Sequence, residues 1–144
     1  MEEYVIFTDG GCDPNPGPGG WAAVILKGRE RREIWGNDPS STNNRMELTA
    51  AIEALRLIKT PALITLHTDS QYLKRGIDEW MPKWLKRNWR GANGPVLNKD
   101  LWQELLEVSA PHQITWAWVR GHTGNRENER VDLLVHLARR GLNH

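Results

Sequence analysis

Short apolar runs at the start of the chain alternate with polar or glycine-rich links. The runs extend from Tyr4 to Thr8, from Trp21 to Leu26, and from Arg32 to Trp35. Runs of this length, rich in aromatic and β-branched residues, predict strands. Because the links between them are short, we expect the three strands to form an antiparallel meander.

The link between the first two runs is rich in glycine and proline. Eight of the eleven residues from Gly10 to Gly20 are of these two types. A hairpin needs only a few turn residues, so the pattern predicts a longer, rigid loop, with Asp13 as a turn residue inside it.

After position 42 the apolar spacing changes to that of a helix, which Pro61 ends. One face of this helix carries Glu47, Ala51, Ala54, Leu55 and Ile58. A strand over Leu63–His67 follows, and then short helices near 71–76 and 80–90. The next elements are a helix from an Asp100 N-cap to about Val108 and a strand over Ile114–Val119. The last is a helix over about Arg126–Arg140, which Gly141 stops. This order predicts one α/β domain over residues 1–144, with a mixed sheet flanked by helices.

Bulk composition restricts the class of protein. The 144 residues are 39% hydrophobic and 26% charged, which suits one soluble globular domain. No apolar run is long enough to predict a membrane span. The acidic start does not resemble a secretory leader, and the single cysteine, Cys12, suits a reducing compartment, so we expect a cytoplasmic protein.

Charge is unevenly distributed, although the net charge is only +1. No acidic residue occurs from Trp80 to Lys99, a stretch that contains Lys83, Lys86, Arg87, Arg90, Trp84 and Trp89. A basic patch with interleaved aromatic residues is typical of a surface that binds nucleic acid. The alternative is a solvated basic helix whose tryptophans belong to the core.

Two acidic residues directly follow predicted strands. Asp9 follows YVIFT and Asp69 follows LITLHT. If these strands are parallel neighbours, the two carboxylates lie together at one end of the sheet. Each residue has a simpler alternative, since Asp9 precedes two glycines as a turn residue does, and Asp69 could cap a helix.

Two further acidic residues lie on predicted helices. Glu47 completes a capping-box pattern with Asn44, but it also shares the face that packs on the sheet, where an unpaired carboxylate is costly. Asp132 borders the apolar stripe of the last helix, and its alternative is a solvated acid that pairs with His136. Four carboxylates at one site would repel one another, and divalent cations such as Mg²⁺ or Mn²⁺, which prefer oxygen ligands, would relieve that repulsion.

Five motifs in order resemble type 1 ribonuclease H of the bacterial kind, from about Tyr4 to Gly141. They are TDGGCDPNPGPGGW, TNNRMEL, TDSQYL, NKDLW and WVRGHTGNRENERVD. The resemblance implies a five-stranded mixed sheet and a monomeric endonuclease that cuts the RNA strand of RNA–DNA hybrids, leaving 5′-phosphate and 3′-hydroxyl ends. It implies two Mg²⁺ ions, with Mn²⁺ as a possible substitute, held by Asp9, Glu47, Asp69 and Asp132, with Asp9 bridging both.

The resemblance also implies roles for residues around the carboxylates. His122 matches the family's catalytic-loop histidine, which handles protons or assists product departure; its alternative is a polar loop-tip residue. Hybrid-groove contacts are implied for Cys12, Asn15, Asn43, Asn44 and Gln71, a DNA-phosphate pocket for Thr42 and Asn98, and further DNA contacts for Trp80, Trp84, Lys86 and Arg87. Asn15 and Asn43 could equally serve in ordinary turns and caps.

The chain departs from the family pattern at two places. Its basic stretch has fewer lysines than many relatives, and Val135 stands where relatives usually carry a small residue. No additional hybrid-binding domain is expected before the catalytic one. Three alternatives remain on these residues: an inactive hybrid-binding module, a DNA-directed metal nuclease of the same broad fold, and a metal-dependent phosphatase.

Overall fold

A computed structural model describes residues 1–91, 94–119 and 125–141 of the chain. The elements of the first half are β1 (Glu2–Cys12), β2 (Gly17–Lys27), β3 (Glu30–Ser41), α1 (Asn43–Arg56) and β4 (Ala62–Thr68). Those of the second half are α2 (Gln71–Arg75), a π-helical turn (Gly76–Trp80), α3 (Met81–Lys86), β5 (Arg90–Gly91), β6 (Gly94–Pro95), α4 (Lys99–Ser109), β7 (Gln113–Trp118) and α5 (Arg126–Arg139).

Five strands form one mixed sheet in the order β3-β2-β1-β4-β7, and β5 and β6 pair separately. The pairs β1–β2 and β2–β3 are antiparallel, whereas β1–β4 and β4–β7 are parallel. The predicted α/β class and the five-stranded mixed sheet are therefore confirmed. Because β1 and β4 are parallel neighbours, their carboxyl ends lie at the same edge of the sheet.

Helices cover both faces of the sheet, since alternate residues of β1 and β2 point to opposite sides. On one face, α1 packs with α4 against Ile6 and Leu66. On the other face, α5 packs against Phe7 and Val24. The predicted stripe of α5 is confirmed, because Val131, Leu134, Val135 and Ala138 are all buried.

The glycine-rich segment after Asp9 differs from its prediction as a long loop. Strand β1 continues to Cys12 and β2 begins at Gly17, so only Asp13–Pro16 remain as the link. Asp13 is an exposed member of this link, and its amide donates a hydrogen bond to the Pro18 carbonyl at 3.1 Å. All five glycines of the segment therefore belong to strands.

Strand β3 is also longer than its apolar run predicts. It extends over twelve residues, and charged side chains on it pair with α5. Arg31 Nη2 lies 2.8 Å from Glu127 Oε1, and Arg130 Nε lies 2.7 Å from Glu33 Oε2. These non-local ion pairs stabilise a polar edge strand that a local hydrophobicity pattern does not reveal.

Two helix ends were predicted from single residues, the end of α5 from Gly141 and the start of α4 from Asp100, and only the first prediction is confirmed. Gly141 ends α5 in a left-handed conformation, φ 71°, and its amide donates to the Ala138 carbonyl at 2.9 Å, as expected of a C-terminal stop. The predicted Asp100 N-cap of α4 is wrong, because Asn98 holds that position and Asp100 lies in the first turn, where it pairs with Arg45 of α1 at 2.8 Å. In the described ranges, no helix has both the length and the apolar character required to cross a membrane.

Candidate active site

The register of two parallel strands brings Asp9 and Asp69 together. Phe7 of β1 pairs with His67 of β4, and each aspartate lies two residues further along its chain. Asp9 is buried, at 7% exposure, whereas Asp69 is partly buried. The sequence-based expectation that both carboxylates meet at one sheet edge therefore agrees with the structure.

Glu47 reaches the same place from α1, which passes close to the end of β1. A side chain at Gly10 would prevent this approach, since a Cβ atom there would lie 2.7 Å from the Glu47 amide nitrogen. One ligand oxygen each of Asp9, Glu47 and Asp69 lies within 4.8 Å of the others. Three side chains far apart in sequence thus form a compact carboxylate cluster.

The environment of Glu47 disfavours its charged form. Burial raises the pKa of its carboxyl well above the usual value, and the nearby charges of Asp9 and Asp69 raise it further. Its Oε2 atom is enclosed and accepts no hydrogen bond from the residues that the structure describes. A buried oxygen without a partner, beside two further carboxylates, fits a site for a divalent cation.

Asp132 lies on α5 at the rim of the same cavity. The cavity has a volume of about 430 Å³ and is lined by Asp9, Glu47, Asp69 and Asp132. Asp132 is exposed and is not part of the three-residue cluster. Glycine at position 20 permits the close approach of α5, because a Cβ atom there would lie 2.6 Å from the Val135 carbonyl oxygen.

The structural alternatives for these acids do not match the observed caps. Thr42 caps α1, its Oγ1 accepting from the Arg45 amide at 3.2 Å, and Ser70 caps α2. Asn44 is therefore not the N-cap that a capping box with Glu47 requires, and Asp69 is not the N-cap of α2. His136, the partner considered for Asp132, has its Nδ1 2.8 Å from Arg139 Nη2.

Three of the five predicted groove residues lie beside the carboxylates, and the other two, Cys12 and Asn15, are hydrogen-bonded to one of them. Asn43, Asn44 and Gln71 line the same cavity. Asn43 Oδ1 accepts from the Cys12 amide at 2.7 Å, while Asn15 Oδ1 accepts from the Asn43 amide at 3.1 Å. The turn and cap chemistry considered for Asn15 and Asn43 is thus present, and it connects the β1–β2 link to the start of α1.

Thr42 and Asn98, the predicted phosphate pocket, are connected through Arg45. Its amide donates to Thr42 Oγ1, and its Nη1 donates to Asn98 Oδ1 at 3.1 Å. The sequence motifs did not point to Arg45, which holds this pocket together, nor to two residues of the cavity lining, Tyr72 and Arg139. Arg139 follows Asp132 by seven residues, so helical spacing was the signal that could have identified it.

The tryptophans of the basic stretch form a chain of ring contacts. Trp80 and Trp84 have centroids 6.0 Å apart, as do Trp84 and Trp89, and Trp84 meets the buried Trp102 at 5.6 Å. All three tryptophans of the stretch are partly buried against the core, as the core alternative expected. The neighbouring Lys86 and Arg87 are exposed.

His122 lies outside the residues that the structure describes. Its predicted role in proton handling therefore remains a prediction from the sequence motif.

Comparisons with known proteins agree with the geometry. The family model described as RNase H matches residues 1–140. A ribonuclease H of Gluconobacter oxydans is 56% identical over 138 residues, covering 95% of this chain and 92% of the relative. A ribonuclease H of Hydrogenovibrio crunogenus is 57% identical over 139 residues, covering 96% of both chains.

Solved structures show the same fold. LC9-RNase H1, a type 1 RNase H with the type 2 active-site motif, is 32% identical and superposes with a TM-score of 0.90, over 99% of this chain and 74% of that one. LC11-RNase H1, solved in complex with an RNA/DNA hybrid, is 21% identical with a TM-score of 0.69, over 96% and 97% of the two chains, and shares the fold. Since the family model spans nearly the whole chain and the relatives are more than half identical to it, the chain belongs to the ribonuclease H family of enzymes.

Proposed function

We propose that this protein is an endonuclease that hydrolyses the RNA strand of RNA–DNA hybrids with two Mg²⁺ ions, leaving 5′-phosphate and 3′-hydroxyl ends. The observation that carries the proposal is the cluster of Asp9, Glu47 and Asp69, with ligand oxygens within 4.8 Å of one another. Family membership supports hydrolysis of the RNA strand, and the enclosed Oε2 of Glu47 supports a bound cation.

Asp9, Glu47, Asp69 and Asp132 would hold the ions, and Mn²⁺ could replace Mg²⁺ because it accepts the same oxygen ligands. Bound ions of this kind supply an activated water and stabilise the leaving 3′ oxygen. The chain itself supplies a rigid mounting, since the buried Asp9 projects from β1, Glu47 from α1 and Asp132 from α5. Asp69 follows the end of β4 by one residue. His122 would accept or donate a proton near the scissile phosphate.

The cavity rim would recognise the hybrid by its shape. RNA displays its 2′-hydroxyls in a wide minor groove. Amide side chains and backbone groups that approach this groove closely can form hydrogen bonds with those hydroxyls. Asn43, Asn44 and Gln71 line the cavity, and Asn15 and Cys12 are hydrogen-bonded to Asn43, so these residues would lie against the groove.

A second contact surface would bind the DNA strand. The exposed Lys86 and Arg87 would contact its phosphates, and the partly buried Trp80 and Trp84 would pack beside it. Thr42 and Asn98 would bind one further DNA phosphate.

We further propose that residues 1–144 act as one catalytic domain and as a monomer. The proposed site supports the single domain, because its ligands are distributed from Asp9 in the first strand to Asp132 in the last helix. The monomer is proposed from the resemblance of the motifs to the family. Light scattering coupled to gel filtration, with activity measured across the peak, would test the monomer; activity confined to a dimer peak would contradict it.

Cleavage of defined substrates tests the function. End-labelled RNA–DNA hybrid, duplex DNA and duplex RNA are incubated with the protein in Mg²⁺ or in EDTA. We expect cleavage of the hybrid RNA in Mg²⁺ alone, with product ends identified by their response to phosphatase and ligase. No cleavage of the hybrid, or equal cleavage of duplex DNA, would refute the proposal.

A matched pair of variants tests the assigned site. Asp9→Asn removes one proposed ligand and is expected to abolish turnover, whereas Asp13→Asn makes the same change at an exposed link residue four positions later and is expected to leave turnover unchanged. Circular dichroism verifies that both are folded. Retained activity in Asp9→Asn would exclude the assigned role.

A further inference from the structure

The conformation of Asn98 is unusual for a helix N-cap. An N-cap asparagine normally accepts a hydrogen bond from the first turn of its own helix. Asn98 begins α4 with a left-handed backbone, φ 58°, and within the described chain its side chain makes no such bond. A left-handed backbone is uncommon for a residue other than glycine, and here the side chain does not cap the helix. We therefore expect the Asn98 side chain to have another role.

Both ends of the Asn98 amide are held by other elements. Oδ1 accepts a hydrogen bond from Arg45 Nη1 of α1 at 3.1 Å. Nδ2 donates to the hydroxyl of Tyr72 in α2 at 3.0 Å. The same hydroxyl accepts from Nε1 of the fully buried Trp102 at 3.0 Å, so Tyr72 is itself anchored in the core.

Arg45 decides which way the amide points. A guanidinium has only N–H donors, so a flipped amide would place Nδ2 against another donor. The Tyr72 hydroxyl can donate or accept, so it fixes the position of the amide but not its orientation. Asp100 holds Arg45 in turn with two hydrogen bonds, of 3.1 and 2.8 Å.

Arg45 also connects Asn98 to the neighbouring helix cap. Its backbone amide donates to Thr42 Oγ1 at 3.2 Å, so one residue holds Thr42 through its main chain and Asn98 through its side chain. An amide nitrogen carries two hydrogens, and Tyr72 receives one of them. A phosphate oxygen needs a donor, and an amide oxygen turned toward it would repel it.

We propose that Arg45 and Tyr72 are positioning residues, which lock the Asn98 amide so that an N–H, not the carbonyl, faces a phosphate of the DNA strand beside Thr42. This inference rests on the proposed cleavage of RNA–DNA hybrids, and it adds two residues that determine how the substrate is held. Arg45 and Tyr72 act through Asn98 and do not themselves touch the reacting atoms.

A double-mutant cycle tests this dependence, because the effect of a positioning residue disappears when the residue it positions is removed. Arg45→Lys keeps the charge but loses the fork that reaches Asn98 and Asp100 together. Tyr72→Phe removes the hydroxyl. Each is combined with Asn98→Ala, and KM and kcat are measured on the hybrid in Mg²⁺, below the thermal transition of every variant.

We expect Asn98→Ala to raise KM on the order of tenfold, the effect of one hydrogen bond to a charged group. Arg45→Lys and Tyr72→Phe should each raise KM by roughly threefold alone and cause no further rise in the Asn98→Ala protein. The value of kcat should remain near that of the wild type, because the carboxylates are unchanged.

Two matched controls exist in the chain. Arg56→Lys alters a second arginine that joins α1 to α4, 3.0 Å from Glu104 and without contact to Asn98. Tyr4→Phe removes the other tyrosine hydroxyl, which donates to Glu2 at 3.0 Å. Neither should change KM.

The outcomes separate the two proposals. An active wild type with an unchanged KM in Asn98→Ala, or with Arg45 and Tyr72 effects that persist in the Asn98→Ala protein, would overturn this inference alone. A wild type that does not cut the hybrid would overturn the proposed function and this inference with it.

Discussion

The carboxylate cluster should destabilise the metal-free protein. Two unit charges 4.8 Å apart repel by roughly 3 kcal/mol at the effective dielectric constant of about 20 that suits protein sites. Asp9→Asn keeps the shape of the side chain and removes its repulsion with both Glu47 and Asp69. The raised pKa of Glu47 already relieves part of this repulsion through protonation, so we expect a net stabilisation of about 1–2 kcal/mol.

Thermal unfolding in EDTA measures this effect. For a chain of 144 residues, each 1 kcal/mol shifts Tm by roughly 4 °C, so Asp9→Asn should melt about 4–8 °C above the wild type. Adding Mg²⁺ should raise the Tm of the wild type more than that of the variant, because a ligand that binds the folded state more tightly stabilises it more, by RT ln(1 + [L]/Kd). Asp13→Asn, an exposed control, should change the free energy of unfolding by no more than about 0.5 kcal/mol, and therefore Tm by no more than about 2 °C.

Two results would contradict charge repulsion or cation binding at the carboxylate cluster. If Asp9→Asn melts at or below the wild-type temperature in EDTA while Asp13→Asn is unchanged, charge repulsion is not a major term at this site. An equal response of both proteins to Mg²⁺ would show that Asp9 does not contribute to cation binding.

Three further predictions concern the packing, the charge network and the basic stretch. Gly10→Ala would place a Cβ atom 2.7 Å from the backbone of α1, so we expect a loss of about 2 kcal/mol in urea unfolding and a matching loss of kcat; full stability would contradict the close approach. Hydrogen bonds, first of all from Arg130, lower the pKa of Glu33 from 4.5 to about 2, so its stabilisation is complete above pH 4.5 and is lost as the pH falls toward 2. Glu33→Gln should therefore lower the free energy of unfolding by about 1 kcal/mol at pH 7, a value reduced to allow for the 34% exposure of the Arg130 side chain. The stability difference between the two proteins should shrink below pH 4.5, and a difference independent of pH would refute the role of Glu33 ionisation. The double variant Lys86→Ala, Arg87→Ala should have a higher KM. The slope of log KM against log salt concentration should fall by roughly one to two, and an unchanged slope would exclude phosphate contacts at these two residues.

The local pattern of residues was sufficient for most elements of the fold. Strand and helix periods depend on which neighbours share a face, so the stripe of α5 and the strand ending before Asp69 were predictable from the sequence. Errors occurred where distant residues decide the local structure. Asn98, not Asp100, is the N-cap of α4, and residues of α1 and α2 that are distant in sequence bind the Asn98 side chain, while Asp100 pairs with Arg45 of α1.

The sequence by itself determined which residue types can perform the chemistry: four acids in family motifs, a basic aromatic stretch, and a glycine-rich segment after Asp9. Only the tertiary structure decided that Asp9, Glu47 and Asp69 meet within 4.8 Å, because that distance depends on the parallel pairing of β1 with β4 and on the approach of α1 over Gly10. The glycines changed meaning for the same reason. In the sequence they resemble a long, rigid loop, whereas in the fold they are strand residues without side chains that let two helices carry Glu47 and Asp132 to the end of the sheet.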